Sequence, residues 1–190
     1  MSKLRVAIWG SGTGSNAKNL IQFFQNSPKV EIAWVLSNKP EALILQHAKD
    51  AGIPTRIIQK SERDDCALLI EEHLKNEIDW IILAGYLWKI PSELCKAFPD
   101  KIVNLHPALL PKYGGKGMYG HFVHEAVHAA GEKESGITIH FVNEHYDEGN
   151  IIFQAKCGIE NTDGPKEIEQ KVRALEMQHL PSVIASLLAP

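Results

Sequence analysis

A buried strand that runs directly into a glycine-rich turn narrows the possible folds of this chain more than any other segment. Leu4–Trp9 is almost continuously apolar, which is typical of a strand covered on both faces. The next residues, Gly10–Asn16, read G-S-G-T-G-S-N, and an amphipathic helical pattern follows up to Pro28. A helix between two strands is the usual crossover of a parallel pair. The N-terminal segment therefore predicts an α/β sheet.

The same alternation continues along the chain. Further strands are predicted at Val30–Leu36, Thr55–Ile58, Trp80–Ala84 and Ile102–Leu105, and further helices at Pro40–Ala51, Ser61–Asn76 and Ser92–Phe98. The Ser61 helix begins with S-E-R-D, which resembles a capping box. Because these connections are helical, the strands up to residue 105 should be mostly parallel.

The last part of the chain predicts a different arrangement. A helix at Phe122–Ala130 precedes two strands, Gly136–Asn143 and Asn150–Ile159, which are close enough in sequence to pair as an antiparallel hairpin. A long helical pattern then covers Pro165–Leu188, with a kink or break expected at Pro181. We predict one α/β domain over 1–190, Rossmann-like, with a mixed, mostly parallel sheet and helices on both faces. Its two halves would cover about 1–100 and about 101–190.

Composition excludes several classes of protein. With 44% hydrophobic residues, 23% charged residues and a net charge of −3, the chain is typical of a globular domain and has no basic footprint for nucleic acid. The 3 cysteines are scattered, which indicates reduced thiols rather than a disulfide frame or a zinc site. No signal peptide is evident, and the longest apolar stretch, around Trp80–Trp88, is too short to span a bilayer. We expect a cytoplasmic location.

The glycine-rich turn is a candidate phosphate site. Glycines allow backbone amides to approach a phosphate, and the helix that follows adds free N–H groups and a favourable dipole. The turn is neither a Walker A motif nor G-x-G-x-x-G, and Ser37-Asn38-Lys39 stands where a dinucleotide site would have an acidic residue. The alternative is a plain tight turn before a capped helix. Position and composition together favour a site for the phosphate of a mononucleotide.

The strand that begins at Ile102 and the residues that follow it, up to Pro107, contain the strongest candidates for catalytic residues. Asn104 and His106 are two residues apart, so their side chains leave an extended chain on the same face, and Pro107 ends the strand. Asp147, in a polar loop before Gly149, is a candidate carboxylate partner. An imidazole can carry a proton, a carboxylate can stabilise its charged form, and an amide can bind an oxyanion, which together suit acyl transfer. Sequence spacing alone does not establish that Asp147 reaches His106, and a purely structural histidine is the alternative.

Other kinds of chemistry find little support. There is no G-x-S-x-G nucleophile elbow and no H-E-x-x-H motif, so covalent catalysis and metal binding are not expected. His121, His124 and His128 have helical spacing and are interpreted as a polar helix face. The loop in Leu83–Ile90, L-A-G-Y-L-W-K-I, belongs either to the core or to the walls around a flat heterocycle.

Five segments, in the same order along nearly the whole chain, resemble the folate-dependent formyltransferases, in particular those of purine biosynthesis. They are G-T-G-S-N (Gly12–Asn16), S-N-K (Ser37–Lys39), L-A-G-Y (Leu83–Tyr86), N-L-H-P-A-L-L-P-K-Y (Asn104–Tyr113) and G-I-T-I-H-F-V-N-E-H-Y-D-E-G (Gly136–Gly149). The resemblance implies that the amine of glycinamide ribonucleotide attacks the formyl carbon of 10-formyltetrahydrofolate. It also implies small-molecule substrates without a metal, nucleic acid or membrane partner, and a monomer or homodimer.

The resemblance further implies that the half over about 1–100 binds the ribonucleotide and that the half over about 101–190 is catalytic and binds the folate. It also implies roles for individual residues. Asn104 would polarise the formyl oxygen, His106 would assist proton transfer and stabilise the oxyanion, and Asp147 would keep His106 oriented and charged. His140 and Thr138 would lie near this centre. The expected ribonucleotide-binding residues are Gly14, Ser15 and Asn16 at the phosphate and Glu176 near the amine. The expected folate-binding residues are Tyr86, Leu87, Val142 and Asn104, with the Glu144–Asp147 loop.

Some features keep alternatives open. The loop Gly114–Gly120 differs from that of better-known bacterial relatives, which affects substrate contacts rather than the reaction. Formyltetrahydrofolate hydrolases resemble this domain but carry a preceding regulatory domain, whereas the first strand here begins at residue 4. Relatives that formylate methionyl-tRNA or a nucleotide sugar carry further C-terminal segments. A catalytically silent nucleotide- or folate-binding module is the alternative from another class.

Overall fold

A computed structural model describes residues 2–188, which form one sheet with helices packed on its two faces. The strands are β1 (Leu4–Trp9), β2 (Val30–Ser37), β3 (Thr55–Ile57), β4 (Trp80–Leu83), β5 (Ile102–His106), β6 (Glu134–Phe141) and β7 (Ile151–Gly158). The helices are α1 (Ser15–Phe24), α2 (Leu43–Asp50), α3 (Lys60–Asp64), α4 (Ala67–Lys75), α5 (Ser92–Ala97), α6 (His121–Ala129) and α7 (Pro165–Leu188).

The strand order locates the functional end of the sheet. The order is β3-β2-β1-β4-β5-β6-β7. Strands β1 to β5 pair in parallel, whereas β5 with β6 and β6 with β7 are antiparallel, as the hairpin pattern predicts. The chain winds outward from β1 to β3 and then returns to the other side of β1 with β4. A crevice opens beyond the carboxyl ends of the strands at such a reversal, and ligands bind there in α/β proteins.

Each face of the sheet has its own hydrophobic core. One core joins the sheet to α1, α2, α6 and α7 through fully buried residues such as Ile8, Leu20 and Ile137. The other joins it to α4 and α5 through residues such as Trp9 and Leu94. The predicted helices on both faces are thus observed. Burial of Val6–Trp9 on both sides explains why this part of β1 is apolar rather than alternating.

Two expectations for the helices are wrong. Ser61–Asn76 is not one helix, because Asp65 adopts an extended conformation between α3 and α4, and its carboxylate accepts a hydrogen bond from the amide of Ala67 at 3.2 Å. The capping box begins at Gln59 rather than at Ser61, and Glu62 supplies its second half. The break expected at Pro181 is not observed, because α7 continues to Leu188, and the kink named as its alternative stays a prediction. Among the described residues, no helix combines the length and apolar character needed to cross a membrane.

A buried histidine stabilises the core beneath α4. His73 is fully buried among Trp9, Trp34 and Phe98, with ring centroids 5.1–5.8 Å away. Its Nδ1–H donates to the Leu69 carbonyl at 2.6 Å, and its Nε2 accepts the indole N–H of Trp9 at 3.3 Å. Both nitrogens are therefore satisfied only in the neutral ring. Burial in this apolar shell lowers the pKa of His73 to about 4.

We expect His73 to make the fold sensitive to mild acid. In the unfolded chain this histidine binds a proton below its ordinary pKa of 6.5, whereas the folded chain resists protonation down to about 4. Stability is therefore lost as the pH falls through this window, by roughly 2 kcal/mol between pH 7.5 and pH 5. In urea unfolding at the two pH values, the loss of stability should be smaller in His73→Leu than in the wild type by about the contribution of His73.

The change with pH, rather than the absolute stability, is the informative quantity, because His73→Leu also removes the acceptor for Trp9. Other buried histidines contribute equally in both proteins and cancel. The exposed His128 on α6 provides the control, and His128→Leu should retain the wild-type dependence on pH. An unchanged dependence in His73→Leu would contradict the assignment.

Candidate active site

The glycine-rich turn places the first helix against the end of the sheet. Gly14 has φ 72°, and a Cβ there would lie 2.6 Å from the Cα of Ile44, so only glycine fits at the start of α1. No side chain caps this helix, and its first turn contains no acidic residue. The N–H groups at Ser15 and Asn16 are therefore available to an anion. This is the arrangement that binds phosphate at helix N-termini.

Asn16 connects this turn to the last helix. Its Nδ2 donates to Oε2 of Glu176 on α7 at 2.9 Å, whereas its Oδ1 is buried without a partner in residues 2–188. Burial raises the pKa of the Glu176 carboxyl, and the hydrogen bond from Asn16 and the charge of Arg173 oppose that shift only in part. An unpaired buried acceptor costs free energy unless something binds it. This pair therefore favours a ligand that brings hydrogen-bond donors.

The pairing of β5 with β6 fixes the amide of the candidate centre. Asn104 lies opposite His140 in the antiparallel register, and its Nδ2 is 3.1 Å from Nε2 of that histidine. Nδ1 of His140 lies 2.8 Å from the Phe141 carbonyl, which can only accept, so the neutral ring carries its proton on Nδ1. Nε2 of His140 is then the acceptor for one N–H of Asn104. The second N–H of the amide is left for a ligand.

His106 is held between a carbonyl and a carboxylate. Its side chain is buried, and its Nε2–H donates to the Tyr113 carbonyl at 2.7 Å. Its Nδ1 lies 3.7 Å from Oδ2 of Asp147, too far for a direct hydrogen bond but close enough for a strong charge interaction. Burial lowers the pKa of His106, while the charge of Asp147 and the Tyr113 carbonyl oppose that shift. The neutral ring therefore has one free acceptor, Nδ1.

An unusual backbone conformation at Asp147 brings its side chain to this centre. It has φ 55°, and its Oδ2 accepts the amide N–H of Gly115 at 2.8 Å. A Cβ at Gly149 would lie 1.8 Å from the Phe141 carbonyl oxygen, so the chain can turn back to β6 only with glycine there. Burial alone would raise the pKa of Asp147, but His140, His106 and the Gly115 amide hold it below its ordinary value. The group is thus a carboxylate at neutral pH.

These groups share one cavity of about 660 Å³ at the carboxyl ends of the central strands. A volume of this size is typical of small-molecule sites. The predicted site residues line it except Thr138 and, in the Glu144–Asp147 loop, Glu144. Thr138 is buried instead beneath the strand end, where its hydroxyl donates to the Ala108 carbonyl and accepts the Leu110 amide. Through these two hydrogen bonds, Thr138 fixes the position of the segment that follows His106.

The loop after β4 forms another wall of the cavity. The amide of Leu87 donates to the Ser11 hydroxyl at 2.9 Å, which ties this loop to the glycine-rich turn. Tyr86 packs edge-on against Trp9, while Leu87 is 39% exposed. Val142 extends the wall from the β6 side, where its amide donates to the Ile102 carbonyl at 2.9 Å. The loop therefore belongs partly to the core and partly to an apolar wall, which combines both interpretations of its sequence.

Several lining residues escaped the sequence analysis. They are Lys39, Lys116, His124, Glu169 and Arg173. Glu169 and Arg173 precede Glu176 by seven and three residues on α7, a helical spacing that could have identified them once Glu176 was chosen. The interpretation of His124 as part of a polar surface face is wrong, because this histidine is 4% exposed while His121 and His128 are exposed.

The geometry suits addition to a carbonyl followed by proton transfer. An amide N–H, a neutral imidazole and a carboxylate meet beside a helix N-terminus that can bind an anion. In the part of the chain described, no group of three or more histidine, cysteine, aspartate or glutamate side chains is arranged so that it could hold a metal ion.

Comparison with known proteins identifies the family. The family model for formyl transferases matches residues 4–184. A chloroplastic phosphoribosylglycinamide formyltransferase of Arabidopsis thaliana is 38% identical over 174 residues, which are 88% of this chain and 60% of the relative. The chain thus spans about 60% of the length of the plant relatives that it matches. A phosphoribosylglycinamide formyltransferase of Haemophilus influenzae is 37% identical, with 95% of this chain and 85% of the relative covered.

Solved structures agree with the fold. The phosphoribosylglycinamide formyltransferase of Coxiella burnetii superposes with a TM-score of 0.87 at 33% identity, over 99% of this chain and 88% of the other. The predicted Rossmann-like mixed sheet is thereby confirmed. So is the resemblance recognised from the sequence motifs, and the chain belongs to the formyl transferase family.

Proposed function

We propose that this protein transfers the formyl group of 10-formyltetrahydrofolate to the amine of glycinamide ribonucleotide. The observation that carries the proposal is the convergence of Asn104, His106 and Asp147 in a cavity that also contains the uncapped N-terminus of α1. The names of the relatives in the family support the choice of substrates. Its partners would be these two small molecules, in keeping with a net charge of −3 that offers no footprint for nucleic acid.

The two substrates would enter from different walls of the cavity. The phosphate of the ribonucleotide would bind Gly14, Ser15 and Asn16, where free N–H groups and the helix dipole favour an anion. Glu176 and Oδ1 of Asn16 would accept hydrogen bonds from the same substrate. The flat pterin would lie against Tyr86, Leu87 and Val142, whose apolar surfaces and nearby backbone groups suit a heterocycle. The formyl carbon would then face the amine beside Asn104.

The reaction would begin when the amine nitrogen attacks the formyl carbon and the carbonyl electron pair moves onto oxygen. The free N–H of Asn104 would donate to that oxygen. Nδ1 of His106 would accept a proton from the new ammonium group, since Nε2 is engaged by Tyr113. The imidazolium would be stabilised by Asp147. The bond from carbon to the folate nitrogen would then break, with the proton passing to that nitrogen as the carbonyl re-forms.

The first test measures the folate absorbance when the purified chain is mixed with 10-formyltetrahydrofolate, with and without glycinamide ribonucleotide. We expect a change only with the ribonucleotide, together with formation of the formylated product. In His106→Ala, turnover should fall by about 10²–10⁴, because the positioned base is lost, while both ligands still bind. A change without the ribonucleotide would favour the hydrolase, and binding of both ligands without any reaction would favour the silent module.

Asp147→Asn tests the charge interaction with His106. The base must be neutral to accept a proton, so kcat/KM falls as the pH falls through the pKa of His106. Because Asp147 raises that pKa, its loss lowers it further, and the acidic limb should move to lower pH. The maximal rate should fall by roughly one to two orders of magnitude, since the imidazolium loses its counter-charge. The neighbouring exposed Glu148→Gln should change neither quantity.

A shift of the acidic limb towards higher pH in Asp147→Asn would contradict this role.

The phosphate assignment is tested by Ser15→Ala combined with Asn16→Ala. We expect the KM for the ribonucleotide to rise about tenfold or more, because hydrogen bonds to a charged group are lost, with a much smaller effect on kcat and on the KM for folate. Asn19→Ala is a matched control, because Asn19 lies on the next turn of α1 and bonds the Met177 carbonyl at 2.8 Å without lining the cavity. An unchanged ribonucleotide KM in the double variant would rule out this phosphate site.

A further inference from the structure

A second helix begins at the same cavity as α1. Gly120, which precedes α6, and His124, in the first turn of α6, both line the cavity. Gly120 has φ 55° and ψ −135°, and no side chain hydrogen-bonds to the free N–H groups of the first turn. The first turn also lacks acidic residues, which would otherwise interact with the positive end of the helix dipole. The N-terminus of α6 is thus free to interact with a negatively charged ligand.

His124 provides an independent indication that something binds there. The residue is 4% exposed, and its Nδ1 is buried without a hydrogen-bond partner. His73, the fully buried histidine of the other core, has partners for both ring nitrogens. An unpartnered buried ring nitrogen is unfavourable, because it loses its hydrogen bonds to water without gaining another, and such groups are uncommon in folded proteins. His124 also lines the cavity, so its side chain lies beside any ligand that binds there.

The charges around His124 indicate the chemistry of that ligand. Arg173 on α7 and Lys116 in the loop before α6 line the same cavity, and neither forms an ion pair within residues 2–188. Glu169 on α7 and the histidines His106 and His121 are the titratable groups that act on His124. Burial lowers its pKa, while Glu169 opposes that shift. Glu176, which also interacts with Arg173, is hydrogen-bonded to Asn16 on the α1 side, and burial raises the pKa of its carboxyl. On the α6 side, the charge of Lys116 and the free end of the helix favour an anion.

We propose that His124 is a phosphate-binding residue, which donates a hydrogen bond from the α6 side to the phosphate monoester of the ribonucleotide. This inference rests on the proposed function and adds a second wall to the phosphate site. The phosphate would lie between the N-termini of α1 and α6, with the positive charge of Arg173 nearby. The two helix ends come from opposite halves of the chain, so the phosphate would connect the glycine-rich turn to the segment that follows the catalytic strand.

The experiment compares the binding of two ligands by calorimetry, glycinamide ribonucleotide and the corresponding ribonucleoside without phosphate. In His124→Ala, the Kd for the ribonucleotide should rise about ten- to a hundredfold, since a hydrogen bond to a charged group is lost. The Kd for the ribonucleoside and the Kd for the folate should stay at their wild-type values. His124→Gln, which keeps an N–H donor, should recover part of the lost affinity. His128→Ala, at an exposed position of the same helix, is the control.

Retained folate binding shows that a variant is folded, so the outcomes can be separated. An unchanged ribonucleotide Kd in His124→Ala would overturn the inference and leave the proposed function intact. An equal loss of affinity for ribonucleotide and ribonucleoside would also overturn it, because the contact would then not involve the phosphate. If the wild type neither binds nor formylates the ribonucleotide, the proposed function itself fails.

Discussion

The Asp147 carboxylate is the point at which the separate parts of the site meet. One oxygen binds the backbone of Gly115 and faces His106 at the end of β5, and the other lies 3.6 Å from His140 on β6. The loop after β5 and the loop after β6 are thereby held against each other. Without this carboxylate, the buried imidazole of His106 would lose the negative charge that opposes the lowering of its pKa by burial. The acid–base chemistry of the cavity therefore depends on this one group.

Most of the fold could be predicted from the sequence, because burial of the sheet on both sides leaves long apolar strands between amphipathic helices. Local patterns failed where a single residue overrides them. Asp65 ends α3 with an extended backbone although the residues on both sides favour a helix. In α7, Pro181 would usually break a helix, yet the helix continues because its apolar residues pack on the sheet. Such local outcomes depend on tertiary contacts, which the helix propensity of a residue does not take into account.

The site shows the same division. Asn104 and His106 could be placed together because the period of a strand is two residues. The approach of Asp147 to His106 could not be predicted by spacing, since it requires the left-handed backbone at Asp147 and the close passage of Gly149 past Phe141. The resemblance to a family identified Asp147 without explaining how it reaches the site. His124 was missed because it is three and four residues from two exposed histidines, which is the spacing expected of residues on one exposed face of a helix.

The histidines illustrate why hydrogen-bond satisfaction distinguishes a structural group from a binding group. His73 and His124 are both buried, and burial lowers the pKa of each. His73 has a partner for each nitrogen, so its neutral ring contributes to the stability of the core. Asn16 Oδ1 and His124 Nδ1 instead remain unpartnered within the described residues, and both residues line the cavity. A free protein that leaves these two groups unsatisfied is less stable than it could be, and a ligand that satisfies them recovers that free energy as affinity.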